Sequence, residues 1–395
     1  MSMLKIHKYI SESSMKEFEV LTKIYFGTAS LDYLAESKYK KVMIYADPFV
    51  VSSGLLHLVT DRLDRASTAY TVFQDIVPDP PVEKVIDGVA ALLRERPECM
   101  IAVGGGSAID LAKAVRKFAE QVEIGYRPKL IAIPTTSGTG SEVTAFSVIS
   151  DPAQNKKYPL ASPDMIPDTA ILDADLVKSV PAIITADTGM DVLTHAIEAY
   201  VSINNNEFSG ALAEKAVEIC GQFLVRSYLD NNDTHARQKM HVASCLAGLA
   251  FNSASLGLNH GMAHQLGAMF HIPHGRANAI LLPHIIEYNS EIDRNSRSRD
   301  HYAKCVRKYC NFARILGLNN LNEITTIRAL VSYIQFLMKE MNMPLRVSEI
   351  GSVTEGEYMA KIDEMTDAAL RDTCTVTNPR VPRHEEVAAL YREIW

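Results

Sequence analysis

The chain has 395 residues, of which 47% are hydrophobic, so it can bury a substantial core and, at about 100–200 residues per domain, suggests two domains. Its 40 basic and 47 acidic residues leave a net charge of -7 without a basic stripe, which argues against nucleic acid or an acidic membrane surface as a partner. There is no run of about 18 apolar residues and no signal peptide, and the six cysteines are scattered without a CxxC pair, so we expect a cytoplasmic protein.

The first half of the chain alternates between short apolar runs and segments with helical spacing. The runs rich in Val and Ile predict strands over residues 40–47, 99–106, 129–136 and 169–176, with helices over 82–96 and 107–121. Strands that alternate with helices in this way predict a mostly parallel sheet covered on both faces.

The second half of the chain is predicted to be helical. Helical periodicity covers residues 185–202, 210–229, 235–251 and 324–341, and no comparable strand intervenes. We therefore predict an α/β dinucleotide-binding domain over 1–184 and an all-helical metal-binding and catalytic domain over 185–395, with the boundary near the turn from Pro181 to Thr185. No low-complexity linker separates them, so we expect them to pack closely and share a cleft.

Two loops that follow predicted strands favour a nucleotide. The first is glycine-rich, Gly104 to Gly106 followed by Ser107, and opens a helix, where free N–H groups favour an anion such as a pyrophosphate. It departs from the usual dinucleotide fingerprint because Ile109 takes the place of the third glycine. The second loop, over 134–142, is crowded with hydroxyls and glycines. Either loop taken alone is also typical of a tight connection or an ordinary polar loop.

Asp47 closes the first predicted strand. A carboxylate there can accept hydrogen bonds from an adenosine ribose and repel a 2′-phosphate, which favours NAD(H) over NADP(H). A helix N-cap before Pro48 explains the same residue equally well.

The placement of histidines indicates a metal site. Asp191 and His195 stand four residues apart in a predicted helix, so their side chains share one face and can hold one ion. His260 and His264 repeat that spacing, and His274 follows. One carboxylate with three imidazoles suits Fe(II), Zn(II) or a neighbouring divalent ion, and no thiolate is present to force zinc. A histidine on an apolar face is more often a core residue, but a buried carboxylate without a partner costs several kcal/mol.

Six motifs occur together in the chain: GGGSAIDLAK (104–113), PTTSGTGSEVT (134–144), GMDVLTHAIEAYVS (189–202), GLNHGMAHQLG (257–267), PHGRANAILLP (273–283) and CTVTNPR (374–380). In this order they resemble the iron-containing (group III) alcohol dehydrogenase family, from about residue 21 to the C-terminus. Within that family the chain is most similar to the 1-propanol dehydrogenases associated with bacterial microcompartments. The resemblance implies an N-terminal Rossmann-like domain joined to an all-α domain, the fold shared with dehydroquinate synthase.

The resemblance also implies roles for individual residues. The implied metal ligands are Asp191, His195, His260 and His274, with His264 as a catalytic proton relay near the nicotinamide. The implied cofactor contacts are Asp47, Gly104, Gly105, Gly106, Ser107, Asp110, Thr135, Thr136, Thr139 and Lys157, and Phe146, Phe251 and Cys374 line the substrate pocket.

The implied activity is the reduction of short aliphatic aldehydes, such as propionaldehyde or acetaldehyde, and the reverse oxidation of primary alcohols with NAD(H) and Fe(II), or with Zn(II). Three alternatives remain at this point: a dehydrogenase of diols or polyols, a metal lyase of the dehydroquinate-synthase type, and a non-catalytic scaffold. A homo-oligomer, a dimer or larger, is expected. A microcompartment shell or co-encapsulated enzymes are candidate partners, which an N-terminal amphipathic segment would contact.

Overall fold

A computed structural model describes residues 17–151, 156–290, 299–318 and 322–395, with only the backbone described for 156–157 and 299–303. Most of the N-terminal segment considered for shell docking, residues 2–19, lies outside these ranges, which begin at residue 17, so its role stays a prediction.

Six parallel strands form the sheet of the first half, and a separate antiparallel hairpin lies beside it. In chain order the strands are β1 (Lys23–Phe26), β2 (Lys41–Ala46), β3 (Ala69–Phe73), β4 (Cys99–Gly104), β5 (Lys129–Pro134), the hairpin strands β6 (Phe146–Asp151) and β7 (Lys156–Ala161), and β8 (Thr169–Leu172). The order across the sheet is β1-β8-β5-β4-β2-β3. All four predicted strands are present.

The sheet is buried on both faces because alternate residues of each central strand enter different cores. Met43 and Tyr45 of β2 pack with the helices Val82–Glu95 and Gly106–Val122. Val42 and Ile44 pack on the opposite side, together with the helix Leu56–Arg65. This arrangement explains the uninterrupted apolar runs that predicted these strands.

Sequence periodicity did not predict strands β1 and β3 or the β6-β7 hairpin. Strands β1 and β3 form the two edges of the sheet, and their residues are mostly exposed or half-buried. An edge strand has fewer apolar neighbours, so its sequence carries a weaker apolar signal than a central strand.

Helices make up the second half. They are Ala182–Val201, Glu207–Leu229, Thr234–Ala254, Leu258–Phe270, His274–Ser290, Arg299–Ile315, Glu323–Glu340, Glu355–Arg371 and His384–Glu393. Their inward faces share one large hydrophobic core. The predicted fold class, a Rossmann-like parallel sheet followed by an all-helical half, is confirmed.

The two halves are in direct contact. Val143 and Leu172 from the first half pack with Cys245 and Leu249 of the helix Thr234–Ala254. Gly140 lies against the same helix at Gly248, where an added Cβ on Gly140 would be 2.7 Å from the Gly248 Cα. The division at residue 184 stays a prediction, but this contact holds the loop that follows β5 against the helical half.

Within the described residues, no single helix meets the length and hydropathy requirements of a membrane span. The helices Thr234–Ala254 and Leu258–Phe270 meet them only as a pair, which is bent by 109° at the break.

Candidate active site

The strand order reverses between β2 and β4. From β2 the chain proceeds outward to β3, whereas β4, β5 and β8 follow one another on the other side. Ligands of open parallel sheets bind beyond the carboxyl ends of the strands at such a switch point. Asp47 follows β2, Gly105 follows β4 and Thr135 follows β5, so the predicted cofactor residues are brought together at this edge.

The glycine-rich turn leaves room for a ligand at a helix N-terminus. Gly105 is the N-cap of the helix Gly106–Val122, and because it has no side chain, the first N–H groups of the helix remain open to an anion. A Cβ on Gly104 would lie 2.6 Å from both the Ala108 Cβ and the Asp47 Oδ2, and one on Gly106 would lie 2.9 Å from the Thr139 Cγ2. Larger residues are therefore excluded at both positions. The geometry suits a pyrophosphate.

The structure shows one of the two roles considered for Asp47, the helix cap. Its Oδ1 accepts a hydrogen bond from the Val50 backbone N–H at 2.9 Å, so it caps the helix Pro48–Ser52. Its Oδ2 lies against Gly104 in the glycine-rich turn. A groove beside it is lined by Pro48, Val51, Ser52, Gln74 and Asp75. The cap is observed, and the contact to a ribose stays a prediction.

Asp110, a predicted cofactor contact, anchors the loop after β5. One of its carboxylate oxygens accepts from the Ser141 hydroxyl at 2.5 Å and the other accepts from the Val148 backbone N–H at 2.8 Å. The buried Lys113 ammonium donates to the Ser141 hydroxyl at 2.8 Å and to the Phe146 carbonyl at 2.8 Å, and burial lowers its pKa to about 8. The Asp110 carboxylate and the Lys113 ammonium are therefore already hydrogen-bonded to other groups of the protein. Sequence reasoning missed Lys113.

The remaining predicted cofactor residues lie on the same loops. Thr135 is buried at the end of β5, and Thr136 faces Gly105. The Thr139 hydroxyl accepts from the Ser141 backbone N–H at 3.3 Å, and the Ser107 hydroxyl accepts from the Asp79 backbone N–H at 3.3 Å. Lys157 lies on β7, and its side chain is outside what the structure describes.

The four predicted metal ligands converge. The helix Ala182–Val201 carries Asp191 and His195, the helix Leu258–Phe270 carries His260, and His274 begins the next helix. One ligand atom of each lies within 4.8 Å of the others. The first three are buried, whereas the His274 side chain is 43% exposed and faces the opening of the site.

The charge state of this cluster fits a cation. Burial lowers the pKa of the enclosed His195 to about 4, and the partial burial of His274 lowers its pKa as well, so both rings favour the neutral form that can bind a metal. Burial would raise the pKa of Asp191, but the surrounding histidines outweigh it and hold that pKa well below its ordinary value. The His195 Nδ1 is buried without a hydrogen-bond partner among the described residues. An unpartnered nitrogen beside a buried carboxylate suits a divalent ion with N and O ligands.

Glu198 orients one of these ligands. Its Oε2 accepts from the His260 Nδ1, and its Oε1 accepts from the Asn259 backbone N–H at 2.8 Å. Burial lowers the pKa of His260, but Glu198 and Asp191 outweigh it and raise that pKa to about 9. A carboxylate on the far nitrogen of a metal-binding imidazole fixes its tautomer and orientation. Glu198 lies one helical turn beyond His195, a spacing that could have indicated it.

Asn278 lies between the same side chains. Its Nδ2 donates to the Asp191 Oδ1 at 2.8 Å and lies 3.1 Å from the Nε2 atoms of both His260 and His274. Asn259 in turn donates to the Asn278 Oδ1 at 2.9 Å. This amide network is buried, and nothing in the sequence pattern indicated it.

His264 lies at the rim of the cluster. Its ring stacks on His274 with 5.4 Å between centroids, and its side chain is 40% exposed. Its Nδ1 donates to the Asp372 Oδ2 at 2.7 Å. A carboxylate in this position leaves Nε2 free for a ligand in the cleft. Sequence reasoning missed Asp372, which is distant in the chain from the histidine motifs.

Two of the three predicted pocket residues lie beside histidines of the site, and the third lies next to one of these two. The Phe251 ring lies 4.6 Å from the His195 ring and 6.5 Å from the Phe146 ring, measured between centroids. Cys374 offers its sulfur within 4.8 Å of ligand atoms of His264 and Asp372. The structure therefore brings an apolar wall and a polar rim to the same site.

Comparisons with known proteins agree with this arrangement. A family model described as "Fe-containing alcohol dehydrogenase family, C-terminal" matches residues 185–395, and one described as "Iron-containing alcohol dehydrogenase" matches residues 22–174. The chain is 44% identical over 384 residues to a 1-propanol dehydrogenase, PduQ, from Citrobacter freundii, covering 96% of this chain and 100% of that protein.

Solved structures show the same fold. A 1,3-propanediol oxidoreductase superposes with a TM-score of 0.87 at 30% identity, covering 97% of this chain and 100% of that one. A sulfoacetaldehyde reductase from Bifidobacterium kashiwanohense, solved with NAD+, has a TM-score of 0.82 at 27% identity, covering 97% of this chain and 99% of that one.

Proposed function

The chain belongs to the iron-containing alcohol dehydrogenase family, and we propose that it interconverts short-chain aldehydes, such as propionaldehyde or acetaldehyde, with primary alcohols by means of NAD(H). As a member of this family it is an oxidoreductase, which confirms the prediction of an enzyme. The observation that carries the proposal is the convergence of one carboxylate and three imidazoles within 4.8 Å, in a helical half that contacts the loop following β5 of a parallel sheet.

Asp191, His195, His260 and His274 are the proposed ligands of a divalent metal, and iron is the proposed occupant with zinc as the alternative. When bound, the metal supplies a Lewis acid for the substrate oxygen and the nicotinamide supplies the hydride. His195 and His274 are neutral, so with Asp191 as the single carboxylate ligand they would leave a bound divalent ion with net positive charge, which would favour a developing negative oxygen over a neutral carbonyl. Glu198 holds the His260 ring in place.

His264 is the proposed proton relay. Because its Nδ1 is engaged by Asp372, the Nε2 would be the nitrogen that delivers a proton to the product oxygen and recovers it from water at the exposed rim. The Phe146 and Phe251 rings, whose centroids lie 6.5 Å apart, would form the apolar side of the site. Together they shape a narrow apolar slot for a two- to four-carbon chain.

The proposed cofactor contacts are those on the two loops at the switch point. The pyrophosphate would lie on the N–H groups that follow Gly105, with Thr136 and Thr139 alongside. Asp47 Oδ2, which lies beside the turn, would accept from the adenosine ribose and favour NAD(H) over NADP(H).

The alternative functions receive less support. The relative with 44% identity is a 1-propanol dehydrogenase, whereas the propanediol oxidoreductase shares 30%, so a diol substrate is less favoured. A lyase of the dehydroquinate-synthase type would need free cations for a phosphorylated and carboxylated substrate. Arg276, the basic residue in the motif of His274, instead donates to both carboxylate oxygens of Asp187 at 3.1 and 2.9 Å.

We place the enzyme in the cytoplasm, inside a bacterial microcompartment, on the strength of its resemblance to the 1-propanol dehydrogenases. The division into domains over 1–184 and 185–395, a homo-oligomeric state and contacts with shell or co-encapsulated proteins belong to the same proposal. Deleting residues 2–19 tests the last point: catalysis should persist while the enzyme is released from purified shells, and retention in the shells would refute it.

The proposed activity is tested by following NADH absorbance with propionaldehyde as substrate. Metal-free protein should be inactive, and reconstitution with Fe(II) should restore turnover beyond that with Zn(II). The same assay with lactaldehyde addresses the diol alternative. An absence of NADH oxidation with any aldehyde after reconstitution would overturn the proposal.

A further inference from the structure

A second group of metal-binding side chains lies next to the cluster described above. It consists of His264, Asp372 and Cys374, and one ligand atom of each lies within 4.8 Å of the others. His264 is 40% exposed, whereas Asp372 and Cys374 are partly buried, so the group is open to solvent on one side only. We refer to these three residues as the rim cluster.

The rim cluster is built on two elements packed tightly together. His264 projects from the helix Leu258–Phe270, and Asp372 follows the end of the helix Glu355–Arg371. Cys374 comes two residues later, where its backbone N–H donates to the Asp372 Oδ1 at 2.9 Å. A Cβ on Gly261 would lie 2.1 Å from the Thr375 Oγ1, so only glycine lets this loop approach the helix of His264 so closely.

The hydrogen bonds of the rim cluster converge on one carboxylate. The Asp372 Oδ2 accepts from the His264 Nδ1 at 2.7 Å, while its Oδ1 holds the backbone at Cys374. A cation that replaces the proton between the His264 Nδ1 and the Asp372 Oδ2 requires only small movements of these side chains. In a tetrahedral zinc site with bonds of about 2.0–2.3 Å, neighbouring ligand atoms are about 3.3–3.7 Å apart. The observed separations run from 2.7 Å to at most 4.8 Å, so rotations of the side chains reach that geometry.

We propose that His264, Asp372 and Cys374 form a second metal site, which takes a thiophilic divalent cation such as Zn(II) and thereby inhibits the enzyme. The donor set of one imidazole, one carboxylate and one sulfur differs from the O and N set of the first cluster, and sulfur favours zinc over iron. Water or a substrate oxygen completes the coordination on the exposed side.

Inhibition follows from the identity of one ligand and rests on the proposed function. A cation on the His264 Nδ1 excludes the doubly protonated ring, so the Nε2 can no longer take up and release the proton of the reaction, and Cys374 lies in the proposed substrate pocket. The site is weaker than the first because it has three protein ligands instead of four. In addition, burial and the neighbouring Asp372 raise the pKa of the Cys374 thiol, so a proton must be released on binding.

Cobalt(II) added to the full-length, metal-free protein tests the site directly, because a thiolate-to-cobalt charge-transfer band arises only when sulfur binds the ion. We expect two equivalents of Co(II) to bind, with the band growing during the second. Cys374→Ser should abolish the band and raise the Kd of the second Co(II) ion at least about tenfold, since the loss of even an outer-shell partner costs that much affinity. Cys310→Ser is the matched control, because Cys310 is also partly exposed but lies apart from the rim cluster.

Asp372→Asn provides a second variant. In it, binding of the second Co(II) ion should need a higher Co(II) concentration, while the thiolate-to-cobalt band remains. A single equivalent in the parent, or a band that survives Cys374→Ser, would overturn the second site. In the activity assay, Zn(II) beyond the first equivalent should inhibit the parent and the Cys310→Ser variant to the same fraction, and Cys374→Ser to a smaller fraction. Equal inhibition of all three would overturn the inhibitory role. The cobalt titration needs no turnover, so it decides the site even if the proposed activity fails.

Discussion

Glu198 offers a sharp test of how the metal cluster is held. It is buried, and its two oxygens accept from the His260 Nδ1 and from the Asn259 backbone N–H. Glu198→Gln preserves the shape but leaves a single acceptor oxygen, because the amide group donates. One of the two buried N–H groups must then face another donor, which costs about 1–3 kcal/mol.

The expected consequence is weaker metal binding. If the amide faces His260, the ring loses the partner that fixes its tautomer, and the metal Kd should rise by about 10–100-fold, equivalent to about 1.4–2.7 kcal/mol. The Kd is measured by competition with a chelator of known affinity. The Tm of the metal-free variant is measured alongside, since it reports the part of the cost that falls on the fold.

Glu214→Gln is the matched control. Glu214 is also a partly buried carboxylate, which accepts from the Tyr200 hydroxyl at 2.5 Å and from Asn311 at 2.6 Å, but it is not among the residues of the metal cluster. Its variant should bind metal as the parent does. An unchanged Kd in Glu198→Gln, or an equal loss in both variants, would contradict the role assigned to Glu198.

Four further predictions follow from the same structure. Asp191→Ala or His274→Ala should abolish turnover while NADH still binds, because the ion and the nucleotide are held by different halves of the chain; full activity in either metal-free variant would contradict the ligand assignment. Asp47→Asn keeps a capping oxygen but removes the charge, so kcat/KM with NADPH should approach kcat/KM with NADH. Asp47→Gly should have the same effect on cofactor preference and should also lose the helix cap. An unchanged ratio of the two kcat/KM values would make Asp47 only a cap. The parent should reduce propionaldehyde with kcat/KM at least about tenfold above lactaldehyde, and Phe146→Asn should narrow that gap by supplying a polar partner. The pKa of Glu386 is lowered from 4.5 to about 2, because its hydrogen bonds and the neighbouring arginines outweigh the effect of burial. Its contribution to stability is therefore present above pH 4.5 and lost as the pH falls towards 2. The difference in unfolding free energy between the parent and Glu386→Gln should shrink over that pH range.

The sequence was sufficient to predict the central strands and the helical second half. Residues such as Ile44 and Ile101 lie in strands buried on both faces, so their apolar runs reflect the local structure and its burial at once. The edge strands and the hairpin were not predicted. β3 has a partner on one side only, and β6 and β7 form a separate two-stranded sheet. The residues of β1 and β3 are exposed or half-buried, so these strands lack the uninterrupted apolar runs that identify the central strands.

The sequence also indicated the chemistry of the metal cluster. Asp191 and His195 are four residues apart, and a helix of 3.6 residues per turn places such a pair on one face wherever the rest of the chain lies. The tertiary structure decided which distant groups meet them. Glu198 and Asn278 lie inside two of the quoted motifs but were assigned no role from them, and they contact the cluster because three helices cross at this point.

The same distinction applies to the rim of the site. His264 could be identified from its helical spacing to His260, but its partner Asp372 is 108 residues away in the chain. No local pattern connects them, because their contact depends on how a loop after one helix packs against another helix. Period and spacing along the chain therefore identify the central strands, the helices and the metal-binding residues. The tautomer of His264, the orientation of His260 and the proximity of Cys374 to His264 are decided only by tertiary packing.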